Sequence, residues 1–211
     1  MTMLRFAIGT SRPSDDLIAK LAGMIRAGEV VILPTDTLYG LHCDARNEIA
    51  IERIRAIKER DRDKPLLVLA SGLDQLEPLG VQLSREARET LDAIWPAPLT
   101  AVLPLARAVP ASAGGRTLAV RVPALEWLRR LIEISGPVIS TSVNVAGESP
   151  LYSMDPLADR LMKQTAAAVD AGRLEGRPST LVDFTADPPR VLRKGAYGFS
   201  QDLWKTSRKS L

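Results

Sequence analysis

Residues 28–41 read GEVVILPTDTLYGL, and this stretch sets the pattern of the whole chain. Its apolar run Val30–Leu33, ended by Pro34, predicts a short buried strand. The polar residues that follow, Thr35 to Thr37, bring two hydroxyls and a carboxylate to the end of that strand. Loops at strand ends often carry ligand groups, but a proline turn with an Asx-type hydrogen bond explains the same residues. On this segment alone, we prefer the structural interpretation.

Apolar runs of strand length alternate with amphipathic helical segments through the rest of the sequence. The predicted helices are Asp15–Arg26, Glu48–Arg60, a helix capped by Ser84 that runs to Ile94, and Pro123–Glu133 with proline in its first turn. The further predicted strands are Leu66–Ala70, Thr100–Leu105, Leu118–Val122, Val138–Ser140, and a final pair, Thr180–Phe184 and Arg190–Leu192. This alternation predicts a single-domain α/β or α+β sheet covered by helices.

Length and composition exclude several classes of protein. The 211 residues are enough for one hydrophobic core, and 45% apolar with 25% charged residues argues against a disordered chain. No apolar run approaches the roughly 20 residues that span a bilayer, and residues 1–10 lack the features of a signal peptide. We therefore expect no membrane association.

Cys43 and His42 are the single cysteine and the single histidine of the chain. One cysteine excludes an internal disulfide and fits a reducing cytoplasm. One histidine excludes a Cys/His zinc site, and we predict no metal ligands in the protein. The net charge is +3, with much of the excess in Lys205, Arg208 and Lys209. We interpret this tail as solvated, with a weak attraction to RNA phosphates as the alternative.

A second polar segment, Lys58 to Pro65, follows the second predicted helix. At a helix C-terminus, Lys58 and Arg60 are explained as partners of the helix dipole, and Asp61 can neutralise its neighbours. Residues two apart on a helix do not share a face, so the two cations converge only if the helix unwinds between them. If they converge, the compact charge of the Lys58 ammonium beside the planar guanidinium of Arg60 suits a polyphosphate.

A third polar segment, Ser140 to Gly147, follows another buried strand. Strand alternation puts Ser140, Ser142 and Asn144 on one side, where covered hydroxyls need partners or water. A turn at Asn144 and Gly147 explains part of this pattern. Further polar residues flank the last two strands as Pro178-Ser179-Thr180 and Arg193-Lys194-Gly195. There is no Walker A motif and no GxGxxG, so side chains must make any phosphate site.

In this order and spacing, the segments resemble the YrdC-like family, whose characterised members are L-threonylcarbamoyladenylate synthases. The resemblance covers residues 14–197, so we expect a domain at 14–197 between an N-terminal segment, 1–13, and a basic C-terminal tail, 198–211. It rests on GEVVILPTDTLYGL, IKERDRDKPLLVL, WPAPLT, LAVRVP, STSVNVAG and PSTLVDF. The family's K-x-R and S-x-N pairs appear as Lys58/Arg60 and Ser142/Asn144. The resemblance implies a twisted mixed sheet flanked by helices, with an open basic concave face.

The resemblance also implies a reaction. L-Threonine and bicarbonate give N-carboxythreonine, which attacks ATP, with Mg²⁺ on its phosphates, to form threonylcarbamoyl-AMP and pyrophosphate. Partner proteins then transfer the threonylcarbamoyl group to adenosine 37 of tRNA. By similarity, ATP is bound by Lys58 and Arg60, which are also the expected catalytic residues, and by Lys64, Thr117, Ser142, Asn144 and Arg193. Threonine is bound by Thr37, Arg121, Ser140 and Ser179.

Two alternatives remain open. One is a family member that binds RNA or the ribosome without chemistry, and the other is a carbamoyl-adenylate-forming relative, although those domains belong to much longer chains. The presence of a threonine set beside the nucleotide set favours the synthase. Two positions depart from the family pattern: Asp61 stands where proline is frequent, and Leu69 stands where some relatives have histidine.

Overall fold

The computed structural model describes residues 3–9, 11–144, 151–154, 159–202 and 204. The helices are α1 Asp15–Arg26, α2 Glu48–Lys58, α3 Arg85–Ile94, α4 Glu126–Ser135 and α5 Asp159–Gln164. The strands are β1 Leu4–Ala7, β2 Val31–Pro34, β3 Tyr39–Asp44, β4 Leu67–Leu69, β5 Leu99–Pro104, β6 Thr117–Arg121, β7 Val138–Ser142, β8 Ala167–Asp170, β9 Thr180–Asp183 and β10 Arg190–Arg193.

The strands of the described residues form one sheet in the order β1-β8-β2-β3-β7-β4-β6-β5-β9-β10. The central pairs β2–β3, β3–β7 and β4–β7 are antiparallel, whereas β4–β6, β5–β9, β2–β8 and β1–β8 are parallel. The sheet is therefore mixed. The predicted single mixed sheet flanked by helices is confirmed, and the basic character of its concave face stays a prediction.

Alternating side chains divide the hydrophobic core into two layers. Val31 and Leu33 pack with α1 and α4 in one layer, whereas Ile32 and Leu41 pack with α2 and α3 in the other. Successive residues of a strand point to opposite faces, so the two layers lie on opposite sides of the sheet. This arrangement decides which strand residues are free to line a site.

Two of the four predicted helices had wrong boundaries, and the one predicted at Pro123–Glu133 is observed at Glu126–Ser135. The second helix ends at Lys58 instead of Arg60, because Glu59 adopts the left-handed conformation with φ 52° and closes the helix. The fourth helix begins at Glu126 instead of Pro123. There, the Ala124 amide donates to Asp36, and the Pro123 carbonyl accepts from the Arg129 side chain, so both backbone groups are committed outside the helix.

Four elements were missing from the predicted pattern: β1, β3, α5 and β8. The segment after Pro34, which the sequence suggested was a loop, is a tight turn followed by β3. Every residue of β3 is buried, so its sequence YGLHCD lacks the polar alternation that identifies a half-exposed strand. The edge strand β1 pairs in parallel with β8, and most of the chain separates the two strands in sequence.

The C-terminal region is anchored by an aromatic contact. Trp204 is buried, with its ring edge-on to Phe184 at 6.1 Å between centroids, and its Nε1 donates to Asp187 at 3.2 Å. Lys205, Arg208 and Lys209 lie outside the described residues, so the predicted solvated tail and the domain boundaries stay predictions. Within the described part of the chain, no helix has the length and hydrophobicity needed to cross a bilayer.

Candidate active site

Two adjoining cavities open on the face of the sheet that α1 and α4 cover elsewhere. The first, which we call the inner cavity, measures about 220 Å³ and is lined by Thr37, Arg121, Ser140, Ser179 and their neighbours. The second, the outer groove, measures about 350 Å³ and includes Arg60 and Thr117. Both share a wall made by Leu67, Ser140, Thr141, Ser179 and Arg193. Most of the predicted site residues therefore surround one continuous space.

Strand register explains why these side chains meet. Leu69 pairs with both Val138 and Arg121 across three neighbouring strands, and Leu69 and Val138 point into the layer beneath α1 and α4. Alternation then places Arg121 and Ser140 on the same face of the sheet. Leu69, which stands where some relatives have histidine, is fully buried in that layer and does not line either cavity.

Arg121 is a buried cation whose hydrogen-bonding capacity is only partly used. It is 2% exposed, its Nη1 donates to Thr37 Oγ1 at 3.1 Å, and its Nη2 lies 3.5 Å from Asp36 Oδ1. Its Nε has no partner in the described residues. Burial lowers the pKa of Arg121, and the Asp36 carboxylate opposes this effect. A buried guanidinium with a spare donor is suited to binding an anion in the inner cavity.

The turn between β2 and β3 aims Thr37 at Arg121. Thr35 Oγ1 accepts from the amides of Thr37 and Leu38, both at 3.1 Å, and lies 2.9 Å from Thr37 Oγ1. Asp36 instead accepts from the Ala124 amide, so among the described residues a threonine holds the turn in place of the expected Asx-type bond. The turn is thus present with a different side chain from the one expected, and the ligand-binding role of its hydroxyls stays a prediction.

The loop before β9 closes the other side of the inner cavity. Ser179 Oγ shares a 2.9 Å hydrogen bond with Thr100 Oγ1, and the Ser179 carbonyl accepts from Arg193 Nη2 at 2.9 Å. The same loop touches the β2–β3 turn at Gly176. A Cβ on Gly176 would lie 1.9 Å from the Thr37 carbonyl oxygen, a distance that no side chain tolerates.

Substituting Gly176 by alanine should therefore push this loop away from Thr37. We expect the protein to lose about 1–3 kcal/mol of stability, a typical cost of overpacking, and its affinity for L-threonine, the ligand that the family resemblance predicts, to fall about tenfold. Isothermal calorimetry and thermal unfolding would measure the two effects. Gly23→Ala is the matched control, because Gly23 sits inside α1 and a Cβ added there would meet no atom within 4 Å. Equal behaviour of the two variants would contradict the predicted contact.

Lys58 organises the end of β7. Its Nζ donates to the Ser142 carbonyl at 2.6 Å and to both the carbonyl and Oδ1 of Asn144 at 2.8 Å, and Ser142 Oγ donates to the same Oδ1 at 2.5 Å. Lys58 is only 3% exposed, and burial, assisted by the charge of Arg60, lowers its pKa to about 8. These hydrogen bonds join Lys58 to Ser142 and Asn144, and the buried lysine stabilises the end of β7.

Arg60 follows the helix end and faces the outer groove. Its Nη2 donates to the Pro65 carbonyl at 2.9 Å, and its buried Nε has no partner in the described residues. Burial and the nearby charge of Arg55 lower the pKa of Arg60. The left-handed Glu59 provides the break in the helix that Lys58 and Arg60 need in order to act in the same region. Arg60 is therefore a candidate phosphate ligand.

Lys64 is placed differently from the other predicted ATP ligands. It lines neither cavity, and its Nζ lies 2.6 Å from Asp61 Oδ2. Arg62, the other cation next to Asp61, is instead paired with Glu52 at 2.7 Å. Asp61 therefore neutralises Lys64 and leaves Arg60 with its spare donor. Thr117 does line the outer groove, as an exposed residue.

Two residues near the site were not predicted from the sequence. Arg55 is 4% exposed and donates to the Asp61 and Lys64 carbonyls at 3.0 and 2.9 Å, so it fixes the turn after Arg60. Its position three residues before Lys58 on the buried stripe of the helix was the available signal. The other is His42, fully buried behind Ser140, for which the sequence offered no signal.

The acidic residues near the cavities do not form a metal cage. No cluster of three His, Cys, Asp or Glu side chains occurs in the ranges that the structure describes. Asp36 is engaged by Arg121 and the Ala124 amide, and Asp61 is engaged by Lys64. Among the described residues, both carboxylates are therefore committed to protein partners.

Comparison with known proteins agrees with this geometry. The Sua5_yciO_yrdC family model, described as "Telomere recombination", matches residues 23–195. Threonylcarbamoyl-AMP synthase of Pyrococcus abyssi is 38% identical over 178 residues, which cover 82% of this chain and 52% of that protein. Threonylcarbamoyl-AMP synthase of Vibrio vulnificus is 34% identical over 189 residues, which cover 85% of this chain and 100% of that protein.

A solved structure gives the same answer for the fold. P. abyssi Sua5 complexed with L-threonine superposes with a TM-score of 0.82 at 35% identity, covering 92% of this chain and 58% of that one. This chain therefore spans about half the length of the P. abyssi relative and matches the Vibrio relative along its full length. Its fold, its cavities and these similarities agree, and the chain belongs to the Sua5/YciO/YrdC family.

Proposed function

We propose that the protein is an L-threonylcarbamoyl-AMP synthase, an enzyme of the nucleotidyltransferase class. The observation that carries this proposal is Arg121, a buried guanidinium whose Nε has no partner in the described residues, in a small cavity that adjoins a groove containing Arg60. One cavity suits a small carboxylate and the other suits phosphates. The relatives named threonylcarbamoyl-AMP synthase and the solved Sua5 complex with L-threonine support the same assignment.

In the inner cavity, Arg121 would bind the carboxylate of L-threonine through its guanidinium fork. Thr37 is already hydrogen-bonded to Arg121 and would orient it, while the Ser179 hydroxyl would contact the substrate from the opposite wall. A volume of about 220 Å³ is sufficient for a small amino acid. The threonine amine would then point towards the shared wall at Ser140.

In the outer groove, Arg60 and Arg193 would bind the phosphates of ATP, with Mg²⁺ on those phosphates. Lys58 would add positive charge from behind and would keep Ser142 and Asn144 in place for the nucleotide. The amine and bicarbonate give the carbamate and water, and a carbamate oxygen then displaces pyrophosphate from the α-phosphorus. Negative charge grows on the departing pyrophosphate, so fixed cations stabilise the transition state. Positioning supplies the rest of the acceleration.

The proposal is tested by pyrophosphate release in mixtures that lack one component at a time. We expect release to require ATP, bicarbonate, L-threonine and Mg²⁺ together. Release that is independent of L-threonine would contradict the amino-acid assignment of the inner cavity. Tight, salt-sensitive RNA binding without any pyrophosphate release would favour the second candidate, a family member that binds RNA or the ribosome without chemistry. In the cell, we expect cytoplasmic partners to transfer the product to tRNA.

A further inference from the structure

His42 lies next to Ser140, one of the residues in the wall that the two cavities share. It pairs in register with Ser140 across β3 and β7, and its Nε2 lies 3.2 Å from Ser140 Oγ. The imidazole is fully buried, whereas Ser140 lines both the inner cavity and the outer groove. The histidine therefore reaches the cavities only through the serine hydroxyl.

The backbone at Gly40 is shaped to accept this ring. A Cβ on Gly40 would lie 2.7 Å from His42 Cε1, 3.1 Å from its Nε2 and 3.3 Å from Ser140 Oγ. Any side chain at position 40 would displace the imidazole or the serine. The three residues are thus packed as one unit, and the ring has no room to turn towards the cavity.

The protonation of His42 follows from its surroundings. Burial lowers the pKa of His42 to about 3, opposed by a backbone hydrogen bond with Gly40 and assisted by the charge of Arg121, so the ring is neutral and carries one N–H. Nδ1 has no partner in the described residues, and a buried N–H without an acceptor is rarer than a bare acceptor. The proton therefore belongs on Nε2, which donates it to Ser140 Oγ. The Ser140 hydroxyl is then free to donate its own proton to the cavities.

In the proposed function, the transferred one-carbon group would lie at the shared wall. The amine of threonine would occupy the inner cavity and the α-phosphorus of ATP the outer groove, so the carbon between them would pass Ser140. Bicarbonate and the carbamate that replaces it both carry anionic oxygens, which need hydrogen-bond donors.

Resting on the proposed function, we propose that His42 is a positioning residue for the one-carbon substrate. Its Nε2–H fixes Ser140 so that the serine hydroxyl donates to a carboxylate oxygen, first of bicarbonate and then of the carbamate. This gives His42 a role in the reaction and extends the role of Ser140 beyond threonine binding.

The test is steady-state kinetics in carbon-dioxide-free buffer, with bicarbonate, L-threonine and ATP varied separately. We expect His42→Phe and Ser140→Ala each to raise the KM for bicarbonate about tenfold, the effect of one hydrogen bond to an anion. The KM for ATP should change by less than about twofold in both variants, and so should the KM for L-threonine in His42→Phe, because the other contacts of these substrates remain. Ser140→Ala also removes a predicted threonine contact, so only His42→Phe tests the selectivity for bicarbonate. His42→Gln, whose amide can donate to Ser140, should recover most of the loss. The double variant His42→Phe/Ser140→Ala should be no worse than Ser140→Ala alone.

If His42→Phe does not fold, His42→Asn takes its place, since its shorter amide leaves Ser140 without a partner. An unchanged bicarbonate KM, equal increases for all three substrates, or losses that multiply in the double variant would each overturn the proposal while leaving the synthase assignment intact. Absence of any product from the unaltered protein would overturn both.

Discussion

Replacing Arg121 by alanine should lower kcat/KM for L-threonine by about a hundredfold to a thousandfold, the cost of removing one partner of a buried, hydrogen-bonded charge pair. Arg121 is the buried cation of the inner cavity, and its Nε is unpartnered in the described residues. Arg121→Lys should recover only part of the loss, because a lysine keeps the charge without the planar fork. The affinity for ATP, measured by calorimetry, should change by less than about threefold, since the nucleotide contacts remain.

The same substitution leaves Asp36 buried without its cation, so stability should fall as well. Adding Asp36→Asn removes the unpaired charge and should restore the melting temperature without restoring activity. Arg85→Ala is the control, because Arg85 is an exposed residue that is paired with Glu89 at 2.7 Å and lines neither cavity. Full activity of Arg121→Ala would remove the carboxylate assignment.

Replacing Lys58 by methionine should reduce turnover to below about 1% of the unaltered rate, because it removes a cation and frees the end of β7. Three oxygens of Ser142 and Asn144 lose the lysine as a hydrogen-bond donor together, although the Asn144 amide still donates to the Ser142 carbonyl and Ser142 Oγ to Asn144 Oδ1. Hydrogen bonds to a charged group contribute about 1.5–3 kcal/mol each, so the unfolding free energy should also fall. Initial rates and urea unfolding would measure the two effects.

Arg60→Ala separates the two roles of this region. The Arg60 side chain makes only one hydrogen bond within the described protein, to the Pro65 carbonyl, so its loss should weaken ATP binding with little loss of stability. Lys20→Ala is the lysine control for the Lys58 variant. Lys20 lies on α1, and among the charge and ring interactions of the described residues its only contact is with the Phe6 ring. Normal turnover in both Lys58→Met and Arg60→Ala would remove the proposed phosphate site.

The sequence predicted the elements that follow simple hydrophobic periodicity. Helix α1 was predicted at its observed bounds, because its apolar stripe, its Ser14 cap and its stop after Arg26 are all local signals. The condition for Lys58 and Arg60 to converge, a break in the helix between them, is met by the left-handed Glu59. The sequence showed that such a break is required but did not show where it lies, because a glutamate in this conformation carries no distinctive local signal.

Other features depend on long-range contacts that no local pattern contains. Strand β3 is buried on both faces, so neither alternation nor an unbroken apolar run identified it. Lys64 was grouped with the ATP ligands, but distant segments of the chain build the cavities, and Lys64, which pairs locally with Asp61, lines neither of them. His42 acquires its position only when β3 pairs with β7. The family resemblance supplied most of the candidate site residues, and the fold shows which of them line the two cavities.

We propose that the protein links one carboxyl group, one amino acid and one nucleotide in a reaction at its two cavities. This function is tested most directly by incubating the protein with ATP, Mg²⁺, L-threonine and carbon-13-labelled bicarbonate, followed by mass spectrometry of the nucleotide products. We predict an adenylate that carries both the labelled carbon and the threonine moiety, formed together with pyrophosphate. ATP that remains unchanged, or an adenylate of threonine without the labelled carbon, would contradict this function.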